Sequence, residues 1–291
     1  MAAPPAVLSP AARLPVELVA MICNELAVLG QSVWHAGSST WHLCDQQRAL
    51  AAAARICRRW AGPAQAALLR SLYFSKPDDC ADFLAAMEHN PHLLDIPRLL
   101  SFEVDGARLQ AAEPHLGMRD FIPILFVKCP NVEFVYVSAV PDMVSPAFED
   151  AFCSMRHLRT FIFESKTRSA ESGARFQRSM QRAPVSLRTL AVYHGVDIGI
   201  LFELPGSLET IDYNYMGDDP LLILSDFSDL LDHDARPIKT STFSVWVESD
   251  FDFDRQPSMP ISDDVVEALK AKFAARGVVF KLHRELDWIG P

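Results

Sequence analysis

A short apolar pattern recurs along most of the chain and constrains its fold more than any other feature. In each copy, two residues separate the first and second anchor positions, and one residue separates the second from the third. The copies begin at Leu69, Leu99, Val132, Leu158, Leu187, Leu208, Thr240 and Gly277. Their starts lie 30, 33, 26, 29, 21, 32 and 37 residues apart, a spacing typical of solenoid repeats. The alternation at the end of each copy predicts a short β-strand.

The segments between the predicted strands carry helix signals. Proline, which cannot continue a helix, precedes five of the copies by two or three residues, at Pro97, Pro130, Pro184, Pro205 and Pro237. Amphipathic segments occupy residues 78–90, 146–158, 171–183 and 262–277. We therefore predict that residues 76–291 form an irregular α/β solenoid with a parallel sheet and with the helices on its outer side. A Rossmann-like or other α/β sheet is the alternative, although the chain contains neither G-x-G-x-x-G nor a phosphate-binding loop motif.

The repeat also predicts which strand residues face the core. We expect the middle anchors to occupy equivalent inward positions on successive strands; they are Phe102, Val135, Phe161, Leu190, Ile211 and Phe243. Because strand side chains alternate between the two faces, the residues between the anchors point away from the core. From this outward set we select as a candidate target-binding face Tyr136, Ile162, Tyr193, Asp212 and Trp246. This choice rests on the aromatic residues in the set, because aromatic residues dominate protein interfaces. The alternative to a binding face is that the C-terminal tail or the long loops bury these side chains.

Residues 12–75 have a helical pattern, and we expect residues 1–11 before them to form a flexible tail. Every fourth residue is apolar at Leu14, Leu18, Ile22 and Leu26, which predicts one ridge along a helix. Pro15 suits the first turn of that helix. A second apolar set lies in and after an alanine-rich segment, at Leu50, Ile56, Cys57 and Trp60. We expect this second helix to end at Gly62 and Pro63, and we expect the segment 28–45 to be an inserted loop.

The N-terminal motifs resemble the F-box, the helical module of substrate adaptors in Skp–cullin–F-box ubiquitin ligases. The residues that match its opening are Leu14, Pro15, Glu17 and Leu18, and those that match its closing are Ile56, Cys57, Arg58 and Trp60. The resemblance covers about residues 12–75, with a connection at 28–45 longer than is usual. It implies that a Skp-type adaptor binds this module and that the adaptor in turn binds a cullin. The residues expected to contact the Skp-type adaptor are Leu14, Pro15, Leu18, Ile22, Leu26, Leu50, Ile56, Cys57 and Trp60. The following copies resemble degenerate leucine-rich repeats, which commonly follow an F-box, although the usual asparagine or cysteine after the strand is largely absent.

The resemblance implies a non-catalytic adaptor that captures an unknown target protein. The alternative is an α/β protein-binding scaffold, or an enzyme, whose N-terminal helices only cap the core. The chain has no G-x-S-x-G, no H-E-x-x-H and no kinase signature, and we expect no cofactor. We also expect no metal, because His35, His42 and Cys44 are loosely spaced. Residues 250–254 begin like a calcium loop but are not followed by its glycine and glutamate.

Charge narrows the choice of partners, and cysteine usage indicates the cellular compartment. The net charge is −10, and residues 197–291 contain nineteen Asp and Glu against eight Lys and Arg. Such an acidic segment is unsuited to nucleic acid phosphates. It can attract a basic target protein; the alternative is a solvated acidic face that serves solubility. The six cysteines lie at irregular spacings, which favours reduced thiols in the cytoplasm or the nucleus. No apolar run approaches the length of a membrane span.

Overall fold

The computed structural model describes residues 14–32, 41–103, 114–139, 144–165, 170–193, 199, 204–216, 220–234, 236–248 and 261–284. These residues form nine α-helices and eight β-strands. The helices are α1 (Val16–Ser32), α2 (Trp41–Ala54), α3 (Arg58–Arg70), α4 (Pro77–Glu88), α5 (Pro114–Lys128), α6 (Pro146–Cys153), α7 (Ala170–Gln181), α8 (Pro220–His233) and α9 (Asp263–Ala274). The strands are β1 (Ser71–Phe74), β2 (Leu99–Glu103), β3 (Phe134–Ala139), β4 (Thr160–Ser165), β5 (Thr189–Tyr193), β6 (Thr210–Met216), β7 (Thr242–Glu248) and β8 (Val279–Arg284).

The helices α1, α2 and α3 differ from the prediction at their ends. The bounds of the loop predicted at 28–45 are wrong at both ends, because α1 continues to Ser32 and α2 begins at Trp41. Of this segment, residues 33–40 lie outside the described part. The predicted stop at Gly62 and Pro63 is wrong, since both residues lie inside α3. The break comes instead at residues 55–57, where Cys57 is extended and precedes the first turn of α3. That segment contains no glycine or proline to signal it.

The eight strands form one sheet in which every neighbouring pair is parallel. Their spatial order is the same as their order along the chain, from β1 to β8. A doubly wound Rossmann sheet reverses its strand order at one point, so that alternative is excluded for this sheet. Crossovers between parallel neighbours are almost always right-handed. A chain that always adds the next strand at the same edge therefore places its helices on one face.

The core confirms that one face of the sheet is covered by helices. Inward strand residues such as Val135 and Ile211 share a single apolar cluster with helix residues such as Ile122 on α5 and Phe227 on α8. Much of this core is aromatic. Two runs of neighbouring rings extend through it; the first is Phe74, Phe102, Phe126, Phe148, Phe161 and Phe176, and the second is Tyr213, Phe227, Phe243, Phe273 and Phe280.

The strand register confirms five of the six predicted middle anchors. Directly paired positions on β3 to β7 are Val135, Phe161, Leu190, Ile211 and Phe243. The prediction for β2 is wrong by two residues, because Leu100 pairs with Val135 and Phe102 pairs with Val137. The buried Pro97 occupies the first anchor position of this copy. Because most copies have an aliphatic residue at this position, the proline was not recognised as an anchor. The predicted anchors of β2 were therefore placed two residues too late.

Charged residues connect the turns that lead into successive strands. Glu133, just before β3, lies 3.8 Å from Arg98 and 3.9 Å from Arg159, which occupy the same position before β2 and β4. The Arg98 guanidinium also donates hydrogen bonds to the carbonyl oxygens of Asp95 at 2.9 Å and Asn131 at 3.2 Å. Arg98 therefore joins two neighbouring turns, whereas Arg159 contributes one long, exposed ion pair.

Candidate protein-interaction surfaces

The three N-terminal helices enclose a small core of their own. Val19 and Cys23 on α1 pack with Leu50 on α2 and with Trp60 and Ala64 on α3. This cluster is distinct from the cluster beneath the sheet. The inward side of α1 is thus formed by Val19 and Cys23, rather than by every fourth residue from Leu14.

Apolar side chains of α1 that do not enter this core face solvent. Leu18, Met21 and Ile22 are 45%, 61% and 40% exposed, and spacings of three and four residues place them on one helix face. We call these three residues the α1 ridge. Ile56, in the turn between α2 and α3, is 48% exposed. Single exposed apolar residues are ordinary, but a group on one surface indicates an interaction site.

The remaining residues predicted to bind a Skp-type adaptor differ in their burial. Pro15 is exposed, whereas Leu14 and Cys57 are half-buried against the core of the helical module. Leu50 and Trp60 are buried because they hold the three helices together, so neither side chain is open to a partner in this structure. Leu26 lies in α1, and its side chain is outside the described part.

The face of the sheet opposite the helices contains the predicted target-binding residues. The register places Tyr136, Ile162 and Asp212 in one row, with Ala191 between the last two. Tyr193 and Trp246 belong to the next row, on either side of Asn214. Each of these positions alternates with a buried anchor, as predicted from the strand period.

Burial on this face differs from the expected open surface. Tyr136 and Ile162 are 6% and 2% exposed and form a separate apolar cluster with Ala191. Asp212 is also buried. The expectation that these side chains lie open to solvent is therefore corrected for this part of the sheet. Strand alternation predicts the direction of a side chain but not what covers it.

The end of the same face at β7 and β8 is more accessible. Trp246 is half-buried and stacks on His283, with ring centroids 3.9 Å apart and an angle of 11° between the planes. Lys281 and Val279 on β8 are exposed. Tyr193 is placed by its backbone pairing with Asn214, and its side chain is outside the described part.

Two tyrosine–glutamate pairs lie at the other end of this face. The Tyr73 hydroxyl donates a hydrogen bond to Glu103 Oε2 at 2.8 Å, and the Tyr136 hydroxyl donates one to Glu164 Oε2. In both pairs the glutamate stands on the next strand, two residues beyond the direct partner of the tyrosine. Sequence reasoning missed these pairs, because the two-residue error in β2 concealed the shared geometry.

Other candidate chemistry receives no support from the described residues. Among them, no group of three or more His, Cys, Asp and Glu could hold a metal ion. His35 and residues 250–254 lie outside the described part, as do the side chains of His42 and Cys44. No helix in the described ranges is long and apolar enough to cross a membrane.

No protein-family model matches this chain, and no curated protein matches it.

Proposed function

We propose that this chain is a non-catalytic adaptor of the F-box type. Its helical module binds a Skp-type subunit, and the α/β region, as a degenerate leucine-rich-repeat solenoid, captures a target protein. The chain thereby links the target to a cullin-based ubiquitin ligase. Its contribution to the reaction is proximity, because it holds the target near the transferred ubiquitin.

The α1 ridge is the observation that carries this proposal. Its residues, Leu18, Met21 and Ile22, are exposed on a helix whose opposite side is already packed against α2 and α3. Leu18 belongs to the Leu-Pro-x-Glu-Leu opening that resembles the F-box, and Ile56 belongs to the closing motif. Both motifs thus contribute an exposed apolar side chain to the module. Burial of such side chains is the main favourable term in protein association.

The main alternative is that the N-terminal helices only cap the sheet. A cap would place its buried side chains in the core beneath the sheet. Here Val19, Cys23 and Trp60 pack among the three helices. Within the module, Arg70 on α3 donates to Asn24 Oδ1 on α1 at 2.8 Å, and towards the sheet the Gln47 side chain donates to the Ser71 carbonyl oxygen on β1 at 3.1 Å. This separation favours a module with a partner of its own.

The test is co-expression of the full chain with a Skp-type subunit, followed by pull-down and titration of the purified proteins. Leu18→Asp would bury an unpaired carboxylate in the contact. We expect it to weaken binding by about 2–4 kcal/mol, or roughly 30- to 1000-fold in Kd. Val185→Asp is the matched control, because Val185 is 85% exposed and lies outside the helical module.

Both variants should retain the far-ultraviolet circular dichroism of the wild type, because both positions are exposed. If Leu18→Asp binds the Skp-type subunit as tightly as the wild type does, the α1 ridge is refuted as the docking surface. Absence of any binding by the folded wild-type chain would refute the adaptor proposal as a whole. Equal loss in Val185→Asp would show that the effect is not specific to the ridge.

A further inference from the structure

The turns that lead into successive strands carry a row of charged residues, and the alternation of charge in this row breaks at one place. Backbone hydrogen bonds of 2.8 Å link its successive members, from Arg98 through Glu133, Arg159 and Arg188 to Glu209. Opposite charges alternate along the row until Arg159 is followed by Arg188. Like charges opposite each other on neighbouring strands are destabilising, so this pair of arginines does not serve the pairing of β4 with β5.

Each of these two arginines has one carboxylate neighbour and is still open to solvent. Arg159 lies 3.9 Å from Glu133, with 71% of its side chain exposed. Arg188 lies 3.3 Å from Glu209, with 46% of its side chain exposed. Exposed ion pairs contribute little to stability, and a guanidinium carries more N–H donors than one carboxylate uses. Both side chains can therefore bind a further carboxylate.

The tips of the same two turns add a third arginine and an exposed apolar side chain. The direct pairing of β4 with β5 places Arg156 and Val185 at equivalent positions of neighbouring turns. Arg156 is exposed and forms no hydrogen bond or ion pair among the described residues, and Val185 is 85% exposed. The Arg188 guanidinium donates to the Val185 carbonyl oxygen at 3.2 Å, which holds this charge beside the tip. We call Arg156, Arg159, Val185 and Arg188 the arginine turns.

The arginine turns belong to a strongly basic part of an acidic chain. Residues 154–188 contain eight Lys and Arg against two Asp and Glu, although the whole chain has 27 against 37. Glu133 and Glu209 bound the two arginines of the row on either side. A long polyanion such as a nucleic acid would extend over these and other carboxylates, whereas a short anionic segment fits between them. The exposed Val185 favours a partner that also offers an apolar side chain.

We propose that the arginine turns bind a short acidic segment of a partner protein, with an apolar residue between its carboxylates. Arg159 and Arg188 donate charge-assisted hydrogen bonds to two carboxylates of the segment. Arg156 adds positive charge at the rim, where it speeds association more than it adds affinity. Val185 packs against the apolar residue, which removes both side chains from water. The helical module takes no part in this contact, so the inference is independent of the proposed function.

The test measures binding of a labelled peptide to the full chain by fluorescence anisotropy. The probe is a peptide of about twelve residues with Glu-Glu-Leu-Glu-Glu between Gly and Ser residues, in a buffer of about 0.1 M salt. The test variant is Arg159→Gln with Arg188→Gln, since glutamine can still donate to the turn carbonyls. The matched control is Arg58→Gln with Arg59→Gln, which removes the same charge from exposed positions on α3. Val185→Ser tests the apolar contact.

We expect the test variant to weaken peptide binding by at least about ten-fold, and the control by less than about two-fold. Val185→Ser should weaken it by about three-fold, and this effect should vanish when the leucine of the peptide is replaced by glycine. Arg156→Gln, which removes no contact within the chain, should slow association.

The inference is overturned if the peptide does not bind the folded wild type, if the test and control variants bind it equally, or if Val185→Ser has no effect. It is also overturned, in favour of a nucleic acid site, if a single-stranded oligonucleotide of the same charge binds more tightly than the peptide. The assay contains no Skp-type subunit, so its failure leaves the adaptor proposal standing; Leu18→Asp should bind the peptide normally.

Discussion

Truncation of Phe161 to alanine tests the packing of the sheet against its helices. The Phe161 side chain is 0% exposed. Its ring centroid lies 4.7 Å from that of Phe152 and 6.3–6.4 Å from those of Phe148, Phe163 and Phe176. The ring therefore joins β4 to both α6 and α7, and four rings lose a neighbour when it is removed.

The expected cost follows from the size of the cavity and the number of ring contacts. Phe→Ala changes in cores cost about 3–5 kcal/mol, and aromatic pairs contribute about 0.5–1.5 kcal/mol beyond their buried area. We expect a value near the upper end, about 4–5 kcal/mol. This is a large share of the roughly 5–15 kcal/mol that stabilises a typical protein.

The assay is urea unfolding of the full chain, followed by far-ultraviolet circular dichroism. Phe161→Ala should lower the midpoint and leave the slope unchanged, because the surface exposed on unfolding is nearly the same. Val185→Ala, at an 85% exposed position, should change the free energy of unfolding by less than about 0.5 kcal/mol. A loss below about 1.5 kcal/mol for Phe161→Ala, with an unchanged slope, would refute the packing argument.

Three further outcomes are expected. Val19→Asp places an unpaired carboxylate at a fully buried position of the helical core, so hydrogen exchange should rise throughout α1–α3 while the amides of β3–β7 stay protected. Arg98→Met should lower the free energy of unfolding by about 1–2 kcal/mol, because the backbone carbonyls of Asp95, Pro97 and Asn131 lose a charged donor, whereas Arg159→Met should cost less than about 0.5 kcal/mol. Burial raises the pKa of Cys80 and of Cys129 to about 12 from an ordinary value of 9.0. The unfolded thiols ionise first as the pH rises, so stability should fall between about pH 9 and 12 by about 1.4 kcal/mol per pH unit for each thiol; replacing both by alanine should flatten that slope in a pH series of urea unfolding.

The strands were predictable from the sequence because every copy of the repeat carries one physical signal and five of the eight copies carry a second. Alternating apolar residues fit a strand with one buried face, and the preceding proline ends the helix before it. The signal failed at β2, where Pro97 itself fills the first anchor position. In that copy, the proline that elsewhere precedes the first anchor is itself the buried first anchor.

The helix boundary at Cys57 was not predictable, because no local signal in the sequence marks it. Residues 55–57 carry no glycine or proline, and the chain turns there although its composition favours helix. The signals at Gly62 and Pro63 are overridden, because that stretch of α3 buries Trp60, Ala64 and Ala67. Tertiary burial outweighs a local propensity of about 1–3 kcal/mol.

The two tyrosine–glutamate pairs could be found only from the strand register. Tyr73 and Glu103 are thirty residues apart in sequence, and Tyr136 and Glu164 are twenty-eight apart. Only the pairing of β1 with β2 and of β3 with β4 brings them to equivalent diagonal positions. A sequence supplies the residue types, whereas the register determines which of them meet.

The junction between α3 and β1 connects the helical module to the sheet. Leu68 and Leu69 are neighbours in α3, yet Leu68 packs against the helical core and Leu69 against the sheet core. Consecutive residues of a helix point about 100° apart, so one helix contributes to both cores. Arg70 ends α3 and Ser71 begins β1 with no residue between them. In the proposed adaptor, a partner on the α1 ridge and a target on the sheet are therefore joined through a packed helix–strand connection rather than a flexible linker, which is the property that proximity catalysis requires.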